Sequence, residues 1–184
     1  MSGSVCVAKG HLKRNIAVLA VVVVIVILLF VYVIPVGPHD GFVSESQASS
    51  ITKQNYTSSS STSSSTSSSS GSQSTQSRYY NTSSGSYLLI SVAKFNSSAS
   101  AEQSFTSINA SLSTEYHLLN INLNTGSFRG FKYDYTSISL LLISLSFSAG
   151  IDGSYEFLII SNHYMSNNTM SSLAQAQISA MTSL

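Results

Sequence analysis

Five side chains in the C-terminal half of the chain have types suited to acid–base or metal chemistry: His117, His163, Asp134, Asp152 and Glu156. A metal site needs three or four such ligands, and a general base must lie within hydrogen-bond reach of the group it serves. Their spacing matches neither requirement. We therefore expect both histidines at strand edges on the surface, Asp152 in a turn and Glu156 pointing to solvent.

Sequence motifs for catalysis or for cofactor binding are also missing. The chain has no Gly-rich phosphate loop and no HExxH, GxSxG or CxxC motif. It contains many serines, but an activated serine needs a base and an orienting partner, and neither can be assigned. The sequence therefore predicts no catalytic residue, no cofactor and no metal site, and a protein that is not an enzyme.

The acceptor motif for N-linked sugar, N-x-[ST], occurs at five positions: Asn55, Asn81, Asn96, Asn109 and Asn167. All five follow the apolar segment described next. This placement favours an external, glycosylated C-terminal part, with Asn55 and Asn81 as the first candidates for modification.

Residues 16–34 form an uninterrupted apolar segment without charge, glycine or proline. As a helix, 19 residues would rise about 28 Å, close to the thickness of the bilayer core. The segment is preceded by Lys9, Lys13 and Arg14, and the first Lys or Arg that follows it is Lys53. By the positive-inside rule, residues 1–15 are predicted to be a cytoplasmic tail and the rest extracellular. A cleaved signal sequence and prepilin-type processing after Gly10 are alternatives that match less well.

Residues 35–86 are predicted to be a disordered stalk, because 18 of the 21 residues 57–77 are Ser or Thr. Such a run buries too little apolar surface to offset the entropy of ordering. It is typical of flexible linkers or O-glycosylated stalks.

Residues 87–184 regain apolar periodicity, and we expect a small α+β extracellular head. Strands are predicted at 87–95, 118–123, 128–136, 138–147 and 155–160. Helices are predicted at 101–112, capped by Ser100 or Ser98, and at 169–182. In the second helix one apolar stripe is formed by Met170, Leu173, Ala174, Ile178 and Met181, while Gln175, Gln177 and Ser179 are expected to face water. The fold class is thus a single N-terminal transmembrane helix plus a small α+β domain, an antiparallel sheet with two helices on one face, in the order β-α-β-β-β-β-α. Lys132 and Asp134 share the polar side of their strand and are predicted to pair.

Composition narrows the class of partner. Only 8% of residues are charged and the formal net charge is +1, so there is no basic field for nucleic acid. One cysteine cannot form an internal disulfide. Few carboxylates also suit an acidic exterior, because acid unfolding acts mainly by protonating paired carboxylates.

The favoured function is a single-pass cell-surface glycoprotein, anchored in the lipid bilayer, whose head binds or assembles with other surface proteins or glycans. The aromatic stretches 78–80 and 128–135 are either core or such a binding surface. The alternatives are a pilin-like or envelope-lattice subunit and an extracytoplasmic enzyme. The enzyme would need one cleft holding at least two of the five ionisable residues named first.

Overall fold

The computed structural model describes residues 41–68, 71–119, 123–140 and 143–183. The predicted tail, the apolar segment 16–34 and the topology-setting residues Lys9, Lys13 and Arg14 lie outside these ranges. Among the described helices, none is long and apolar enough to cross a membrane.

The described residues form three helices and seven strands, which follow one another along the chain in the order α-β-β-β-α-β-β-β-β-α. The strands make one antiparallel sheet in the order β1-β2-β3-β7-β6-β5-β4. The elements are α1 (Glu45–Thr52), β1 (Tyr56–Ser68), β2 (Gly71–Thr82), β3 (Tyr87–Phe95), α2 (Ser98–Leu119), β4 (Asn124–Phe128), β5 (Phe131–Leu140), β6 (Ile143–Asp152), β7 (Tyr155–Ser161) and α3 (Asn167–Thr182).

The predicted fold class, with two helices and five strands, is wrong. The extra elements α1, β1 and β2 come from the segment interpreted as a stalk. The Ser/Thr run pairs its own backbone groups in the β1–β2 hairpin, which needs no apolar side chain. Apolar anchors at its ends complete the burial: Tyr56 and Tyr80 are 5% and 0% exposed and their rings pack edge to face.

Element boundaries in the head also differ from the prediction. The helix α2 extends through residues 118–119, predicted as the start of a strand, and Ser97 caps it by accepting a hydrogen bond from the Ser100 backbone N–H at 3.2 Å. The predicted central strand 138–147 belongs to two strands, since Leu140 of β5 pairs with Ile143 of β6. An apolar run cannot distinguish one long buried strand from a buried hairpin.

The helices cover both faces of the sheet, whereas the sequence predicts one face. Neighbouring residues of a strand point to opposite faces, and on β3 Val92 packs in the cluster of α1 and α3 while Ala93 packs with Ala101 of α2. The α1–α3 face holds the larger core. The α2 face carries the polar side chains described below.

The terminal helix α3 agrees well with its prediction. Ser166 caps it by accepting a hydrogen bond from the Thr169 backbone N–H at 3.1 Å. Every residue of the predicted apolar stripe is fully buried: Met170, Leu173, Ala174, Ile178 and Met181. Gln177, predicted to face water, is also fully buried, because it donates to the Gly41 carbonyl at 2.7 Å and accepts from the Val43 N–H at 3.1 Å.

Candidate functional site

A cleft of about 480 Å³ opens between α2 and the β4–β5 hairpin. The ring of Phe105 from α2 forms one wall, and the hairpin supplies the rest. The residues that line this Phe105 cleft include two aromatic residues together with hydroxyl, ammonium and carboxyl groups: Phe105, Thr125, Gly126, Ser127, Lys132, Tyr133 and Asp134.

The floor of the cleft depends on the backbone of the β4–β5 hairpin. The turn places Arg129 and Gly130 at positive φ, 48° and 90°, which brings Phe128 opposite Phe131. Gly126 lies against the Tyr133 ring so closely that a Cβ atom there would approach the tyrosine oxygen to 2.7 Å. The glycine therefore leaves room for the Tyr133 ring, which packs on the α3 face of the sheet, where its hydroxyl lies 3.0 Å from the Ser171 Oγ.

Asp134 is held by α2 and does not take the predicted partner Lys132. Its Oδ2 accepts a hydrogen bond from the Asn109 Nδ2 amide at 2.6 Å. Burial raises the pKa of the Asp134 carboxyl above its usual value, and the bond from Asn109 opposes that rise. The remaining amide oxygen of Asn109 is buried without a hydrogen-bond partner in the described part of the chain.

Glu156 lies beneath α2, although the sequence predicts that it points to solvent. Only 5% of the residue is exposed, and burial raises the pKa of its carboxyl to about 7, against the opposing effect of a hydrogen bond with Ser104. Its Oε2 has no hydrogen-bond partner among the described residues. Because Glu156 and Phe157 are neighbours on β7, the sequence correctly predicts that they point to opposite faces of the sheet. The prediction fails because α2 covers that face.

Each of the two clefts on this side of the domain contains only one of the five ionisable residues named in the sequence analysis. Asp152 lines a second cleft of about 180 Å³ beside Lys132, and the 480 Å³ cleft contains Asp134. His163 lies after β7, where its Nε2 is 3.1 Å from the Gln54 amide nitrogen. His117 lies in α2 and not at a strand edge. Within the described residues no three His, Cys, Asp or Glu side chains form a group that could hold a metal ion.

The glycosylation candidates differ in how open they are. Asn55, Asn81, Asn96 and Asn167 are exposed, whereas the Asn109 nitrogen that would carry a sugar is bonded to Asp134. All five positions stay predictions, and Asn109 is the position least compatible with the folded domain.

The aromatic stretches contribute mainly to the core. Phe131, Tyr133 and Tyr80 are 0%, 3% and 0% exposed, while Tyr79 is 38% exposed. Arg78 lies with its guanidinium 4.8 Å from the centre of the Phe42 ring. In these stretches, the parts that could still form a binding surface are Tyr79 and the residues that line the Phe105 cleft.

Comparisons with known proteins give no identification. No protein-family model matches the chain, and no curated protein matches it. The function has to be argued from the cleft and the sequence.

Proposed function

We propose that the protein is a membrane-anchored surface protein whose C-terminal domain binds a small polyhydroxylated ligand, such as one or two sugar residues, in the Phe105 cleft. The apolar segment 16–34 supports the anchor, and the preceding basic residues support an external domain. The observation that carries the binding role is the cleft, whose volume of about 480 Å³ suits a small molecule.

The chemistry of the cleft favours a neutral ligand with hydroxyl groups. Asp134 supplies acceptor oxygens, Lys132 supplies a donor, and Thr125 and Ser127 can do both. The single ammonium and the single carboxyl balance each other, so the cleft offers no net field for a polyanion. The Phe105 ring provides an apolar wall for the C–H groups of a sugar.

Ligand-dependent stabilisation tests this role. The full chain in detergent micelles is melted with a panel of hexoses, N-acetylhexosamines and their disaccharides. A ligand at a hundred times its Kd stabilises the folded state by about 2.7 kcal/mol, so at least one sugar should raise Tm by several degrees. Asp134→Asn should lose that response, and Asp152→Asn, in the neighbouring cleft, should keep it. A flat panel, or a response that Asp134→Asn retains, contradicts the proposal.

A second candidate function, a subunit of an envelope lattice, is favoured by the edge of the sheet. β1 ends the strand order and has no charged residue and no proline along its length. From Ser58 onward β1 keeps a regular register with β2, and such a regular edge is a template for pairing with another strand. A second copy of β1 fits it, because two antiparallel Ser/Thr strands are self-complementary.

The size of the detergent-solubilised chain tests the lattice function. If β1 pairs copies, Ser63→Lys should shift dimers or larger assemblies to monomers on size exclusion, since it places a charge on the exposed edge strand. Ser172→Lys on the exposed side of α3 is the matched control and should change nothing. A wild-type chain that is monomeric at high concentration excludes this function.

A further inference from the structure

Two carboxyl groups lie on the sheet face that α2 covers, and both interact with neutral side chains of that helix. Ser104 hydrogen-bonds Glu156, and Asn109 donates to Asp134 at 2.6 Å. The two carboxyls are on different strands, β7 and β5. The two carboxyls therefore lie under α2 at separate points, because their partners Ser104 and Asn109 are about 1.4 helical turns apart.

We propose that α2 is a proton-controlled cover: it packs on the sheet while Glu156 is protonated and loosens from it when Glu156 ionises. The inference concerns the movement of α2 and does not depend on the proposed ligand. Because Phe105 of α2 is a wall of the cleft, loosening would also change the cleft.

The charges around Glu156 give its ionised form little compensation. Glu102 of α2, which is exposed, and Asp152, which follows Ile151 on β6, are acidic residues. Lys132 of β5 is separated from Glu156 by the Ile151 position of β6. Lys94, on the neighbouring strand β3, points to the opposite face, with its Nζ 5.4 Å from the centre of the Tyr155 ring.

Asp134 has a similar environment. Its nearest basic neighbour along the strand is Lys132, whose side chain is exposed, and its carboxyl accepts a hydrogen bond from the neutral amide of Asn109. A buried charge without a partner is costly, and lifting α2 would expose both carboxyls to water. Ionisation of Glu156 therefore favours the loosened state.

The expected size of the effect follows from proton linkage. With a pKa of about 7 under the helix and an ordinary value once exposed, the opening equilibrium of α2 should rise roughly 10- to 100-fold between about pH 5 and about pH 8. The helix α3, on the other face, should show no such rise.

Hydrogen exchange measured by mass spectrometry on the full chain in detergent micelles tests the proposal. After correction for intrinsic exchange, wild-type peptides covering residues 101–110 should lose protection roughly 10- to 100-fold between about pH 5 and about pH 8. Peptides of α3 should show no such loss. Glu156→Gln should abolish the loss, and Glu102→Gln, an exposed glutamate of the same helix, should keep it.

Three results would overturn the proposal: constant protection of α2 across the pH range, equal loss in α2 and α3, or a Glu156→Gln helix that loosens as the wild type does. If Glu156→Gln does not fold, Ser104→Ala gives the test. Removing a hydrogen bond that lowers the Glu156 pKa should move the midpoint of loosening to higher pH, and an unchanged midpoint would contradict the proposal.

Discussion

Replacing Glu156 by glutamine should stabilise the domain at neutral and alkaline pH and leave it nearly unchanged in acid. Burial raises the pKa of the Glu156 carboxyl from 4.5 to about 7. A group with a raised folded-state pKa contributes stability that is complete below the unfolded value of 4.5. That contribution is lost as pH rises through about 7.

The magnitude follows from the two pKa values. One pKa unit corresponds to about 1.4 kcal/mol, so the difference between 4.5 and about 7 corresponds to about 3 kcal/mol at saturation. Glutamine keeps the shape of the protonated acid but cannot ionise. Glu156→Gln should therefore unfold at a higher temperature than the wild type above neutral pH, by roughly 6–12 °C.

Thermal unfolding of the full chain in detergent micelles, followed by circular dichroism at about pH 4.5 and about pH 8, measures the effect. The wild type should have its higher Tm at the acidic value. Glu102→Gln is the control and should behave as the wild type does. A wild-type Tm that is equal at both pH values, or a Glu156→Gln protein that is less stable at pH 8, refutes the reasoning.

Three further substitutions test the packing, two by thermal unfolding and one by limited proteolysis. Gly150→Ala places a Cβ atom against the Phe157 ring and should cost about 1–3 kcal/mol; an unchanged Tm would show that β6 and β7 are not paired in this register. Gln177→Leu removes two hydrogen bonds to the chain before α1, and limited proteolysis should cut near Val43 sooner than in the wild type. Tyr80→Phe removes a donor to the Val43 carbonyl and should cost about 1 kcal/mol, whereas equal stability would show that Val43 does not lie against Tyr80.

The parts of the fold that local pattern determines were predictable. β3 has the predicted bounds, because a buried run flanked by polar residues marks a strand wherever it packs. α3 carries its whole apolar stripe in the core, since that stripe repeats with the helical period. The placement of helices on both faces of the sheet was not predictable. It depends on which face of the sheet α2 packs against after β3 ends.

The side chains missed by sequence analysis are those whose burial depends on a distant element. Glu156 is covered by α2 and Gln177 by residues 41–43, and neither cover can be inferred from the local sequence. The β1–β2 hairpin in the Ser/Thr run was missed for a different reason. Its composition indicates low apolar content, but the hairpin gains stability from backbone pairing and from Tyr56 and Tyr80 at its base.

Protease accessibility on intact cells, with a different epitope tag at each end of the chain, tests the proposed placement most directly. External protease should remove the C-terminal tag, while the N-terminal tag stays protected and remains in the membrane pellet after an alkaline wash. A C-terminal tag that survives on intact cells, or an N-terminal tag that the alkaline wash releases, would contradict a membrane-anchored protein with an external domain.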